Sequence, residues 1–97
     1  MPKGYWMVSY RSISNPEALA QYAKLSVPAV QSAGGRLLVR GVPATVYEAG
    51  INERSVLIEF DSVQAAIAAY ESPAYQAALK VLEGAAERDI RIVEGLP

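Results

Sequence analysis

Apolar and polar residues alternate along some stretches of this chain and recur at helical spacing along others. The order of the two patterns predicts the fold. Residues 5–12, Tyr-Trp-Met-Val-Ser-Tyr-Arg-Ser, are rich in aromatic and β-favouring types and predict a first strand. Ser14-Asn15-Pro16-Glu17 then predicts a helix start, because Asn15 can cap free amides, Pro16 suits the first helical position and Glu17 complements the dipole. Leu19, Tyr22, Ala23, Ser26, Val27 and Val30 follow near a 3.6-residue period. Pro28 lies inside this helix and is expected to kink it or weaken its second half. Gly34-Gly35 is its stop.

Arg36 to Arg40 predicts a second strand, interrupted at Gly41-Val42-Pro43, with pairing open to resume at Ala44 to Ala49. Gly50-Ile51-Asn52-Glu53 reads as a turn and Ser55 to Phe60 as the third strand. Asp61 is the expected cap of the next helix, with Gln64 placed to return the bond of a capping box. Ser72-Pro73 breaks this helical region into two pieces, about 62–71 and 73–83. Asp89 to Glu94 is the expected last strand, and Glu83, Glu87, Arg88 and Asp89 read as a solvated end. Two strand-helix-strand halves of this kind predict an α+β, ferredoxin-like βαββαβ domain spanning residues 1–97, with a four-stranded antiparallel sheet and its helices on one face.

Strand alternation assigns the faces. Trp6, Val8 and Tyr10, then Val56, Ile58 and Phe60, then Ile90 and Ile92, are the rows expected to meet the helices. Tyr5, Met7, Ser9 and Arg11, Leu57 and Glu59, Arg91 and Val93, with Leu38 and Arg40 from the second strand, make the expected open face. Met7, Leu38, Leu57 and Val93 form a patch too apolar to be left wet without a reason. The hydrophobic share of the chain is 52%, which asks either for an unusually Ala-rich core or for apolar surface covered by another subunit. Both features predict a homodimer with a pocket shared across the open face.

Composition removes several chemistries. Nine basic and ten acidic residues nearly balance, and no basic stripe appears, so nucleic acid is not an expected partner. Ser55, Leu57 and Glu59 give the third strand's open face no stacking aromatics for RNA. There is no Cys, hence no disulfide framework, thiolate metal site or cysteine nucleophile. There is no His, which removes the commonest base near neutral pH and argues against histidine-ligated haem. No apolar run approaches the ~18–20 residues of a membrane span. The start carries no hydrophobic signal segment, so a cytoplasmic protein is expected. No phosphate-cradling glycine loop, nucleophile elbow or metal set is present, and no cofactor is expected.

Gly4-Tyr5-Trp6, Asn15-Pro16-Glu17, Gly34-Gly35-Arg36, Leu38-Val39-Arg40-Gly41, Ile58-Glu59-Phe60, the run Tyr70-Glu71-Ser72-Pro73-Ala74-Tyr75-Gln76-Ala77-Ala78 and the closing Ile92-Val93-Glu94-Gly95 together resemble the small bacterial family known as domain of unknown function 1330. The resemblance covers nearly the whole chain. It implies the dimeric α/β-barrel arrangement, whose relatives include cofactor-free monooxygenases, small isomerases and haem-binding enzymes. It implies fold and dimerisation far better than activity. One departure is Val42, where the family usually carries a second glycine after the pair matching Arg40-Gly41.

The candidate pocket residues are Ser9, Arg11, Arg40, Glu59 and Tyr75. Arg40 offers a planar fork for a carboxylate or enolate, and Glu59 is a possible base if burial raises its pKa. The plainer reading of that pair is a structural ion pair or subunit contact. Ser9 would add a hydroxyl and Arg11 a second cation, or be respectively a tolerated small residue and a rim charge. Tyr75 would reach a ligand or, with Tyr70, set the angle of the helix break. Trp6 reads as a core anchor rather than a stacking platform. Two functions stay open: a dimer binding a small apolar or weakly acidic molecule, or a cofactor-independent oxygenase or isomerase acting on a small aromatic or lactone-like substrate.

Overall fold

The structure, a computed structural model, describes residues 2–97; Met1 lies outside them. The elements run β1 (Gly4–Ile13), α1 (Pro16–Ser32), β2 (Arg36–Gly41), β3 (Ser55–Phe60), α2 (Val63–Glu71), α3 (Pro73–Leu82) and β4 (Ala86–Glu94). The sheet order is β2-β3-β1-β4 with every neighbouring pair antiparallel. This is the ferredoxin-like arrangement expected from the pattern.

The caps account for the helix boundaries. The Asn15 side chain accepts from the Ala18 amide at 3.1 Å, and Pro16 opens α1. The helix runs unbroken through Pro28, which lies on its exposed side, where water can meet the carbonyl that proline leaves without a donor. Gly34 stops it in the left-handed region at φ 89°, and a side chain at Gly35 would collide with the Phe60 ring at 2.9 Å. The cap of α2 is Ser62, not the expected Asp61: its extended backbone lets its side chain accept from Ala65 N at 3.1 Å. Asp61 instead faces the guanidinium of Arg36 at 3.1 Å and Lys3 at 3.4 Å. Ser72 joins the two shorter helices, donating to the Ala69 carbonyl at 2.8 Å and accepting from the Tyr75 amide at 3.3 Å.

Two boundaries differ from expectation. Residues 44–49 do not resume pairing; they form a turn in which Glu48 has φ 52° and Gly50 N donates to the Tyr47 carbonyl. Strand β4 starts at Ala86, three residues before the expected Asp89, because its first residues pair with the far end of β1 beyond a bulge at Tyr10/Ser12. Arg88 therefore belongs to a strand and not to a solvated end.

The core lies between the sheet and the helices. Trp6, Phe60 and Tyr75 are its largest fully buried side chains. Trp6 donates from Nε1 to the Ala66 carbonyl at 2.8 Å, and its ring meets Phe60 at 5.4 Å and Tyr75 edge-on at 4.9 Å. It is a core anchor, with its one polar atom satisfied. No helix among the described residues is long and apolar enough to cross a membrane.

Candidate functional site: a cavity beneath helix α1

The six arginines divide into two groups. Arg11, Arg36 and Arg91 each face a carboxylate: Asp89 at 3.1 Å, Glu59 at 2.9 Å and Asp89 at 3.6 Å respectively. These pairs stand on the face of the sheet away from the helices or at its rim. Arg40, Arg54 and Arg88 have no carboxylate within salt-bridge distance among the described residues, and all three line one narrow cavity of about 40 Å³. That space suits roughly three water-sized groups. It lies between α1 and the helix-facing side of the sheet, walled by apolar side chains including Val8, Leu19, Val27 and Ile58, and its lining contains no acidic residue.

Arg88 is placed there by strand pairing. It is the cross-strand partner of Tyr10, and in β4 it stands two and four residues before Ile90 and Ile92, which face the core. Its guanidinium donates from Nη1 to the hydroxyls of Tyr10 (3.3 Å) and Tyr22 (3.1 Å), and from Nη2 to that of Tyr75 (2.9 Å). It also sits 4.9 Å from the Tyr22 ring centre and 5.5 Å from that of Tyr10. Four elements thus converge: Tyr10 from β1, Tyr22 from α1, Tyr75 from the first turn of α3, and Arg88 from β4. Burial opposes the charge on Arg88, but the facing phenol oxygens outweigh it and hold its pKa above the ordinary value.

The phenol protons decide what this cluster can bind. The Tyr22 and Tyr75 oxygens are 2.6 Å apart. Tyr75 is 1% exposed and does not line the cavity, so Tyr22 is the acceptor within its reach; we assign the shared proton to Tyr75. Tyr22 then accepts from both Tyr75 and Arg88, and its own O–H is free to donate toward the cavity. Tyr10 likewise accepts from Arg88 and keeps its proton. Burial raises the phenol pKa of Tyr75, with Tyr22 adding and Arg88 opposing, and burial does the same for Tyr10 against Arg88. These two phenols stay protonated near neutral pH. The cavity end is therefore rich in donors and poor in acceptors, the complement of an oxygen anion or a strong acceptor.

The residues singled out from the sequence separate onto two faces. Ser9, Arg11 and Glu59 lie on the open face. Glu59 receives Arg36 Nε on one oxygen and the Tyr5 hydroxyl on the other, both at 2.9 Å; those two bonds hold its pKa below the ordinary value, against desolvation. It is a structural ion pair and a poor proton acceptor. Arg40 was expected beside Glu59, but the bulge between Leu37 and Val39 shifts the phase of β2, so Arg40 pairs with Val56 and turns to the helix side. Arg36 takes the place opposite Glu59. Tyr75 is also on the helix side, in the hydroxyl cluster. The pocket is expected on the open face, whereas the convergent polar groups stand on the helix-facing side. Tyr22 and Arg88 were missed as site residues, although counting back by twos from Ile92 and Ile90 puts Arg88 on the inner row.

The family model Domain of unknown function (DUF1330) matches residues 3–96. The chain belongs to the DUF1330 family. No curated protein matches this DUF1330 chain. Among solved structures it is similar to RPA0582, a protein of unknown function from Rhodopseudomonas palustris, at 18% identity and TM-score 0.77, over 99% of this chain and 84% of that one. It is similar to a proposed antibiotic biosynthesis monooxygenase from Caulobacter crescentus CB15 at 16% identity and TM-score 0.61, over 99% and 91% of the two chains. A dimeric ferredoxin-like protein of unknown function from Thermobifida fusca YX matches at 13% identity and TM-score 0.56, over 96% and 91%. At these identities the likeness of the DUF1330 chain to solved structures is one of fold.

Proposed function

We propose that this DUF1330 chain is a homodimer that binds a small, largely apolar molecule carrying a carboxylate or enolate-like oxygen in the cavity beneath α1. The observation that carries the reading is Arg88: a half-buried cation facing the cavity with three phenol hydroxyls and no carboxylate. A guanidinium taken from water needs an anionic or strongly accepting partner, and a ligand oxygen supplies one. Tyr22 and Tyr10 add O–H donors for the acidic head group, and the rest of the ligand extends past Leu19 and Ala23 into the groove that shares them. Dimerisation is supported on the other face of the sheet, where Met7, Val39 and Val93 are exposed around the half-buried Leu57, and by relatives described as dimeric.

A second reading is a cofactor-independent oxygenase or isomerase. Arg88 with the Tyr22 hydroxyl is an arrangement that stabilises negative charge developing on a carbonyl oxygen. Against it stands the absence of any acidic or histidine side chain from the cavity lining, which leaves no evident protein base. Binding without chemistry is the better-supported reading. A thermal-shift screen of aromatic acids, lactones and quinones against the wild type and Arg88→Met tests it. Hits confined to the wild type and not turned over support the binder, turnover supports the enzyme, and equal shifts in both proteins contradict both readings.

A further inference from the structure

Arg40 and Arg54 are not used by the cluster around Arg88. Neither side chain makes an ion pair or hydrogen bond among the described residues. Both line the inner cavity, and both also line an outer groove of about 520 Å³ between α1 and the strand ends. Leu19 and Ala23 border the same two spaces, so the two arginines stand where the groove meets the cavity. The groove lining, like that of the cavity, contains no acidic residue. Three uncompensated cations thus gather on one path in a chain whose net charge is −1, while the other arginines are neutralised by carboxylates.

The sheet sets their spacing. The Tyr10 amide donates to the Arg54 carbonyl on one side, and Tyr10 pairs with Arg88 on the other. Arg54 and Arg88 are therefore one strand to either side of Tyr10, with backbones roughly 10 Å apart. Arg40 lies on the next strand out, opposite Val56. Arg88 borders the cavity on the side of α3, where it also lines a second outer groove, and Arg40 and Arg54 stand where the cavity meets the groove beneath α1.

We infer that the ligand carries two acidic groups, one held by Arg88 and the tyrosine hydroxyls and the other held by Arg40 and Arg54. This rests on the cavity reading above and narrows it to a short dianion with an apolar middle. A monoacid would leave the two mouth arginines in water, whereas a diacid engages charge at both ends.

The test compares hexanoate and adipate, a monoacid and a diacid of equal carbon number, by NMR titration of the wild type, Arg40→Met, Arg54→Met and Arg88→Met. Adipate is expected to bind the wild type roughly tenfold or more tightly than hexanoate. Either mouth substitution should bring the affinity ratio toward one, and Arg88→Met should weaken both acids. Equal affinities in the wild type, with Arg88→Met still weakening both, overturn the second-acid inference and leave the cavity reading standing. An adipate preference that survives both mouth substitutions also overturns it. If neither acid binds the wild type, the cavity reading and the inference fall together.

Discussion

The hydroxyl oxygens of Tyr22 and Tyr75 lie 2.6 Å apart, and one guanidinium, that of Arg88, donates to both. The contact ties α1 to α3 through a polar bridge in an otherwise apolar layer. Tyr22→Phe and Tyr75→Phe should each cost about 1–3 kcal/mol in denaturant unfolding, because each leaves buried polar atoms without partners. The double substitution should cost less than the sum by about 1 kcal/mol, since both singles break the same bond. Strict additivity would mean that the two hydroxyls do not interact.

The same burial sets an alkaline limit. Tyr75 and Tyr10 have phenol pKa values raised in the folded state. A raised pKa contributes stability that is complete below the unfolded value, about 10, and is lost as pH rises past it. Urea unfolding across pH 8 to 11 should show stability falling from about pH 10, and less steeply in Tyr75→Phe. Glu59 acts with the opposite sign: its pKa is lowered by its bonds to Arg36 and Tyr5, so its contribution is present above about pH 4.3 and lost as acid protonates it. Glu59→Gln should make the acid limb shallower.

Much of this fold could be read from local chemistry. Asn15-Pro16, Gly34-Gly35 and Ser72-Pro73 punctuate helices through backbone rules that act within a few residues, and each does so where expected. The face of Trp6, Val8 and Tyr10 followed from strand alternation. Arg40 shows where that reasoning stops. A single extra residue at Leu38 inverts every later side chain of β2, and the bulge depends on pairing with β3, which is not local. Arg88 was missed for a related reason. A charged residue beside Glu87 and Asp89 reads as solvated until tertiary packing brings three tyrosines to it from separate elements.

The helix junction offers a local test. Ser72→Ala should cost about 1 kcal/mol, since its hydroxyl caps α3 and also bonds the end of α2. Pro73→Ala should cost little, because its position makes no intrahelical bond through the amide. The larger loss in Pro73→Ala by thermal unfolding would contradict the cap.

The open face should carry the dimer. Leu57→Asp puts a charge at its centre, beside Met7 and Val39. In sedimentation velocity at micromolar concentration the wild type should run as a dimer. The variant should dissociate and lose cooperative unfolding, as small dimers often lack a stable folded monomer. A folded wild-type monomer would remove the dimer from the account.

The ligand site proposed above lies beneath α1 at Arg88 and not on the open face at Glu59. The most direct measurement is an amide NMR titration of the wild-type protein with adipate, repeated on Arg88→Met after its fold is verified. The expected shifts concentrate at Tyr10, Tyr22, Ser26 and Val27, the residues around the cavity, and most of them are lost in Arg88→Met. Shifts concentrated instead at Tyr5, Met7, Leu57 and Glu59, or an unchanged titration in Arg88→Met, would contradict that placement.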